Sequence, residues 1–231
     1  LPLPRDAAIL FGSMLSGSSP GNLSYSQAIS LVRDSDAAMQ VEADEGFLQA
    51  GRAAAENLDS EITIPGLTAT LFPYQSRGVR WMWDTIRHTG GLILADEMGL
   101  GKTLQIIALL LMDPPKADAP ALIVCPTSLI ANWVREFERF AAGVTVMVHR
   151  GAHRAGIYRE LQRTSIVVTT YDTMVNDISI FSSFEWSWVI CDEAQAIKNP
   201  DSNRRNAVMS IPRRRTIPMT GTPVENSLLD L

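Results

Sequence analysis

An α/β fold, with a parallel sheet covered by helices on both faces, is predicted for this 231-residue chain by three observations. Short apolar runs of strand type recur between positions 92 and 219, and segments with helical spacing follow them. Several runs, among them Ala121–Cys125 and Trp186–Cys191, are apolar throughout, as strands buried on both faces must be. Between the run 92–95 and the helix-forming stretch 104–112 stands Gly99-Leu-Gly-Lys-Thr103, a glycine turn of the kind that ends a strand and opens a helix.

Taken in order, residues 1–60 alternate helix-like pieces (6–15, 25–33 and 45–58) with breaks such as Gly17-Ser-Ser-Pro-Gly21. They carry no catalytic constellation and read as a helical N-terminal extension that packs on the core or holds a protein partner. Residues 61–231 form the α/β lobe, entered by a short strand at 61–65. Pro73 fixes a helix start, with Gly78, Val79 and Met82 on its packed face. After the 104–112 helix and a proline-rich loop come strand 121–125, helix 128–140, strand 144–148 and helix 152–163. Strand 166–169, a short helix 172–175, strand 186–191, a helix within 202–209, strand 215–219 and a helix from 225 complete the chain. Ligands of such sheets lie at the carboxyl ends of the strands.

Composition bounds the function. The formal charge of −5 is uneven: residues 1–66 hold three Lys/Arg and nine Asp/Glu, whereas 67–231 hold 17 and 16. The acidity therefore belongs to the leader, and a polyanion partner for the lobe is not excluded. Cys125 and Cys191 each end an apolar run and read as small buried hydrophobes, and the three histidines show no metal spacing. No apolar run approaches the ~18 residues of a membrane span and no secretory leader is present, which implies an intracellular, cytoplasmic protein, nucleoid-associated if bacterial. The leading Leu1 suggests a piece of a longer protein.

The glycine turn has the chemistry of a phosphate cradle. Curled backbone points the N–H groups of Gly99, Leu100, Gly101, Lys102, Thr103 and Leu104 inward, and the helix N-terminus adds positive potential. Lys102 reaches the β- and γ-phosphates of a nucleoside triphosphate, and the Thr103 hydroxyl is suited to Mg²⁺. Asp96 stands where the strict pattern has glycine, so entry to the loop is less tight. Gln75, about 25 residues upstream of the loop, has the donor and acceptor needed to read an adenine edge. Trp188-Val-Ile-Cys-Asp192-Glu193 is an apolar strand ending in two acids. Asp192 is placed to hold the Mg²⁺, and Glu193 to orient or deprotonate the attacking water. Lys102, Asp192 and Glu193 are thus the catalytic candidates, with Thr103 and Asp192 as metal ligands.

These strings together resemble the superfamily-two helicase-like ATPases, and more closely the Swi/Snf translocases. The resemblance covers residues 67–231, the first RecA-like lobe of that family, with Pro73-Tyr-Gln75 similar to its Q motif and 94–105 to its motif I. Asp96 is the letter expected there. Residues 124–133 resemble motif Ia, 168–171 motif Ib, 192–199 motif II and 220–226 motif III. The family commonly ends motif II in His, where this chain has Gln195, which retains the capacity to hydrogen-bond toward motif III.

The resemblance implies ATP and Mg²⁺ as cofactors and double-stranded DNA as partner, gripped through its backbone. Pro126, Thr127, Ser128, Asn132, Trp133, Thr170 and Tyr171 would face phosphates, with Thr127 or Ser128 also capping a helix. Gln195, Thr220, Gly221 and Thr222 would couple the phosphate site to DNA. The family's arginine fingers sit on a second RecA-like lobe beyond this chain, so the fragment alone is expected to be nearly inactive. Arg213-Arg-Arg215 reads equally as polyanion contact or solvated run, and Arg150, Arg154, Arg159 and Arg163 as a solvated face. A strand-separating helicase and a non-catalytic ATP-sensing or partner-docking module are the alternatives.

Overall fold

The computed structural model describes residues 62–199 and 201–221. The predicted extension over 1–60, Thr222 and the helix from 225 lie outside the described residues. The strands are β1 (Ala121–Cys125), β2 (Val146–Val148), β3 (Ile166–Thr170), β4 (Trp186–Cys191) and β5 (Arg213–Pro218). They form one parallel sheet in the order β2-β3-β1-β4-β5. Every residue of β1, β3 and β4 is buried, which accounts for their unbroken apolar composition.

Alternation along each strand divides the core into two layers. Ile123, Val168 and Ile190 face one side, against α1 (Pro73–Thr89), α2 (Lys102–Met112) and α3 (Ile130–Phe140). Leu122, Val167 and Val189 face the other, against α4 (Tyr158–Leu161), α5 (Tyr171–Asn176), α6 (Ile178–Phe181) and α7 (Asn203–Ser210). Helix α1 starts at Pro73 as predicted and ends on Gly90, whose φ of 73° closes a left-handed cap on the Ile86 carbonyl. The carboxyl tips of β1, β4 and β5 lie side by side.

Several expectations change. Residues 62–64 are irregular rather than a strand, and only Ile64 is buried against the core. The 92–95 strand is an extended segment beside β5, joined by bridges Gly91–Thr216 and Leu94–Met219 instead of a continuous ladder. The helix expected over 152–163 is a 3₁₀ turn at Gly151–His153 and the single turn α4. Its start is diverted because the Ala155 N–H donates to His149 Nδ1, while His149 Nε2 and the Arg154 guanidinium both bind Asp177. Arg154 is therefore an anchor over a buried carboxylate and not one of a solvated row.

β5 begins two residues early, at Arg213, so the arginine triplet lies in the sheet. Arg213 donates to the Val208 and Ile211 carbonyls at the end of α7. Arg214 pairs with Glu185, and Arg215 pairs with Asp113 while covering the Trp188 ring. Arg213 and Arg215 are engaged within the chain, whereas Arg214 is an exposed residue in a surface pair, as the solvated reading has it.

Candidate nucleotide site

The phosphate loop grows from the edge of the sheet. Leu94 N–H donates to the Pro218 carbonyl and the Thr220 N–H returns to the Leu94 carbonyl, so the loop's entrance is stitched to the end of β5. Gly99 (φ 87°) and Gly101 (φ 77°) occupy left-handed backbone, a conformation that only glycine adopts without strain. α2 then opens at Lys102 with no side chain capping it, so its first N–H groups point at the loop's hollow.

Lys102 folds back onto its own loop, donating to the carbonyls of Asp96 at 2.6 Å and Glu97 at 2.9 Å. A phosphate in the hollow offers the ammonium a charged alternative to those neutral oxygens. Thr103, half-buried, follows at the second position of α2.

Gln75 is buried at 4 % exposure, and both ends of its amide are engaged by the chain. Its Oε1 accepts from the Phe72 N–H at 3.0 Å, and its Nε2 donates to the Leu100 carbonyl at 3.2 Å. These two bonds pin the loop's crest to the start of α1.

The paired acids follow β4. Asp192 N–H donates to the Val124 carbonyl, seating the residue between the tips of β4 and β1. Its carboxylate is buried: Oδ2 accepts from the Trp133 indole N–H at 2.9 Å and Oδ1 from the Glu193 N–H at 3.0 Å. Burial pushes the Asp192 carboxyl above its usual range, opposed by those two hydrogen bonds and by the charge of Lys102. Lys102 and Asp192 thus sit at the same end of the sheet, close enough to act on one another electrostatically.

Glu193 has φ 51°, the one positive φ outside glycine among the described residues. Such backbone costs on the order of 1–3 kcal/mol and is held only where the surroundings over-determine it. Here the Ala194 N–H is fixed to the Met219 carbonyl, and Gln195 Nε2 donates to Glu193 Oε2 at 2.7 Å. Gln195 Oε1 in turn accepts from the Thr220 hydroxyl at 3.0 Å. A Cβ added to Gly221 would come within 2.6 Å of Met98 and 3.8 Å of Lys102 Nζ, so this backbone runs directly beside the phosphate loop.

The donor set fits Mg²⁺. Among the described residues no three His, Cys, Asp or Glu side chains cluster to form an all-protein cage. One carboxylate, Asp192, and one hydroxyl, Thr103, would leave the remaining positions to phosphate oxygens and water, which is how Mg²⁺ is ordinarily held beside a nucleotide.

The residues expected on DNA separate into two groups. Thr127 and Ser128 are exposed on the 3₁₀ turn Thr127–Leu129 after β1, with Pro126 and Asn132 half-buried beside them. Neither hydroxyl caps α3, contrary to expectation, because the 3₁₀ turn places Leu129 at its start. Trp133 and Tyr171 are buried at 1 % and 3 % exposure and carry no surface for a phosphate. Their polar atoms converge on Asp192, where the Tyr171 hydroxyl donates to its main-chain carbonyl at 2.8 Å. Thr170 caps α5 by accepting from the Thr173 N–H. Its buried hydroxyl is used inside the chain.

Comparison with known proteins places this geometry. Residues 74–231 match the SNF2-related domain. The chain belongs to that family. A putative ATP-dependent helicase/translocase of Bacillus subtilis is 37% identical over 184 residues, covering 77% of this chain and 20% of that protein. Helicase SWR1 of Eremothecium gossypii is 39% identical over 175 residues, 72% of this chain and 12% of its own length. Among solved structures, the Sulfolobus solfataricus SWI2/SNF2 ATPase core in complex with dsDNA superposes with a TM-score of 0.66. It is 34% identical and covers 74% of this chain and 36% of that one. The SNF2-related chain thus spans a fifth or less of these two curated relatives, and its fold is that of a RecA-like lobe, matching part of the Sulfolobus ATPase core.

Two features of this SNF2-related lobe escape motif reading. Gln105 is 1 % exposed and donates to the Leu100 carbonyl at 3.4 Å, the same oxygen that Gln75 binds. A lone amide in the apolar helix 104–112 was the available signal. The bond from Trp133 to Asp192 spans 59 residues, and no local pattern announces it.

Proposed function

We propose that this lobe is the nucleotide-binding half of a DNA-dependent ATPase that translocates on duplex DNA. The observation that carries the reading is the chain of contacts Thr220–Gln195–Glu193, which joins the end of β5 to the acid beside Asp192. Backbone N–H groups of residues 99–104 and the Lys102 ammonium would take the triphosphate of ATP, with Gln75 and Gln105 holding the loop in shape through Leu100. Thr103 and Asp192 would hold Mg²⁺, which when bound neutralises charge on the phosphate oxygens. Glu193, oriented by Gln195, would hold the attacking water and accept its proton.

Double-stranded DNA would lie along the exposed turn Thr127–Leu129, where the hydroxyls of Thr127 and Ser128 and the Asn132 amide suit phosphate contacts without sequence information. Thr222 belongs with Thr220 and Gly221 in linking the two sites. Arginine fingers from a second RecA-like lobe would complete the catalytic centre, and residues 1–60 would hold a protein partner. ATPase activity of the full-length protein, with and without duplex DNA, tests the reading. Stimulation by duplex DNA that is lost in Glu193→Gln supports it; DNA-independent turnover, or a fully active Glu193→Gln enzyme, overturns it.

A further inference from the structure

Three buried indoles anchor the core, and their N–H groups have different partners. Trp186 donates to the Phe181 carbonyl and Trp188 to the Asp113 carbonyl, the ordinary way to satisfy a buried indole. Trp133 instead donates to the carboxylate of Asp192. Of that carboxylate's oxygens, Oδ1 is held by the adjoining backbone N–H of Glu193, a local contact that moves with the residue. Oδ2 is fixed from a remote element, α3.

The position of Trp133 on α3 gives the contact a second consequence. The helix follows the exposed turn Thr127–Leu129 directly, and the turn is closed by the Leu129 N–H on the Pro126 carbonyl. Trp133 is four residues beyond Leu129, about one helical turn or ~6 Å along a rigid rod. Tyr171, the first residue of α5, holds the Asp192 carbonyl from the tip of β3. The acid is therefore gripped from the two elements that follow β1 and β3, whose tips form the face beside the Thr127–Leu129 turn.

We propose that Trp133 is a positioning residue for Asp192: its indole N–H fixes the rotamer of the metal-binding carboxylate and carries displacement of the Thr127–Leu129 turn by a DNA phosphate to it. This rests on the reading of Asp192 as a Mg²⁺ ligand. Outer hydrogen bonds of this kind orient metal ligands, and their loss typically weakens metal affinity roughly 10–100-fold.

The test uses the full-length protein with Trp133→Phe, which keeps an aromatic ring and removes the N–H. Binding of a fluorescent ATP analogue is titrated with Mg²⁺, and separately measured in EDTA; ATPase is measured with and without duplex DNA. The Mg²⁺ midpoint is expected to rise roughly tenfold, with metal-free nucleotide binding unchanged and stimulation by DNA reduced. Phe137→Leu controls for core damage, since Phe137 packs against the Trp133 ring from the same helix and bonds nothing at the site. A wild-type midpoint and wild-type stimulation in Trp133→Phe overturn the proposal, as does an equal shift in Phe137→Leu. If Trp133→Phe does not fold, the indole N–H resonance of Trp133 in the wild-type protein decides in its place: a shift when Mg²⁺ is added to the nucleotide-bound protein supports the grip on Asp192, and an unmoved resonance overturns it. Asp192→Asn separates the two readings. Loss of Mg²⁺ dependence there, with a normal Trp133→Phe, sinks this inference alone, whereas unchanged Mg²⁺ dependence in Asp192→Asn sinks the assignment of the metal site itself.

Discussion

Gln195 and Glu193 are joined side chain to side chain, the amide Nε2 donating to the carboxylate Oε2 at 2.7 Å. Glu193 sits on strained backbone, its carboxylate is oriented by Gln195, and Gln195 is itself held by Thr220. Hydrogen bonds to charged groups contribute about 1.5–3 kcal/mol. Gln195→Leu is therefore expected to lower kcat of the full-length protein roughly tenfold or more while leaving nucleotide affinity unchanged. Gln195→His keeps a donor and should retain most of the rate. Steady-state kinetics with a separate nucleotide-binding titration check this; a Gln195→Leu defect confined to affinity contradicts it.

Gly101 needs both its φ of 77° and its missing side chain, because a Cβ there would collide with the amide nitrogen of Gln75. Gly101→Ala combines left-handed strain of about 1–2 kcal/mol with displacement of the Gln75 clamp. It should abolish measurable ATP binding. Gly143→Ala and Gly156→Ala, where an added Cβ meets nothing within 4 Å, should bind normally. Equilibrium titration of the three variants distinguishes a local clash from general sensitivity of the fold to alanine.

The Asp177 cluster makes stability depend on acid. Burial alone would raise the Asp177 carboxyl, but hydrogen bonds from Arg154 and His149 outweigh it and hold the group below its ordinary 3.8. A depressed carboxylate binds fewer protons folded than unfolded, so its contribution is full above pH ~3.8 and is lost as pH falls through the folded value. Arg154→Met should therefore destabilise the protein at pH 7 and narrow its gap from wild type as pH drops below 4. Urea unfolding at a series of pH values measures that gap; one that widens in acid has the wrong sign.

Both thiols should be inert in the native protein. Burial pushes Cys125 and Cys191 up to about 12, so almost no thiolate exists at neutral pH. Iodoacetamide at pH 8 is expected to leave both unlabelled until denaturant is added, after which mass spectrometry should find two adducts. Labelling of either in the folded state would mean that the strand tips open.

Much of this molecule was legible residue by residue. The order of strands and helices, the glycine loop at 99–103 and the placing of the acids at 192 and 193 after a strand follow from patterns confined to a few neighbouring positions. Apolar runs report burial on both faces, and glycines before Lys102 report a curled backbone. What local pattern does not announce has a common form. Arg154, Gln75, Trp133 and Tyr171 each bond a group well removed in the chain.

Sequence by itself determined the fold class and the curled glycine turn at 99–101, because strand burial and loop curvature are set by local composition. Tertiary structure alone decided the partners of the polar side chains. A buried indole, amide or guanidinium must be matched by whatever acceptor the packed sheet brings within about 3 Å, and that neighbour is chosen by strand order, not by position in the chain. The grip of Trp133 on Asp192 exists because β1 lies beside β4 in this sheet.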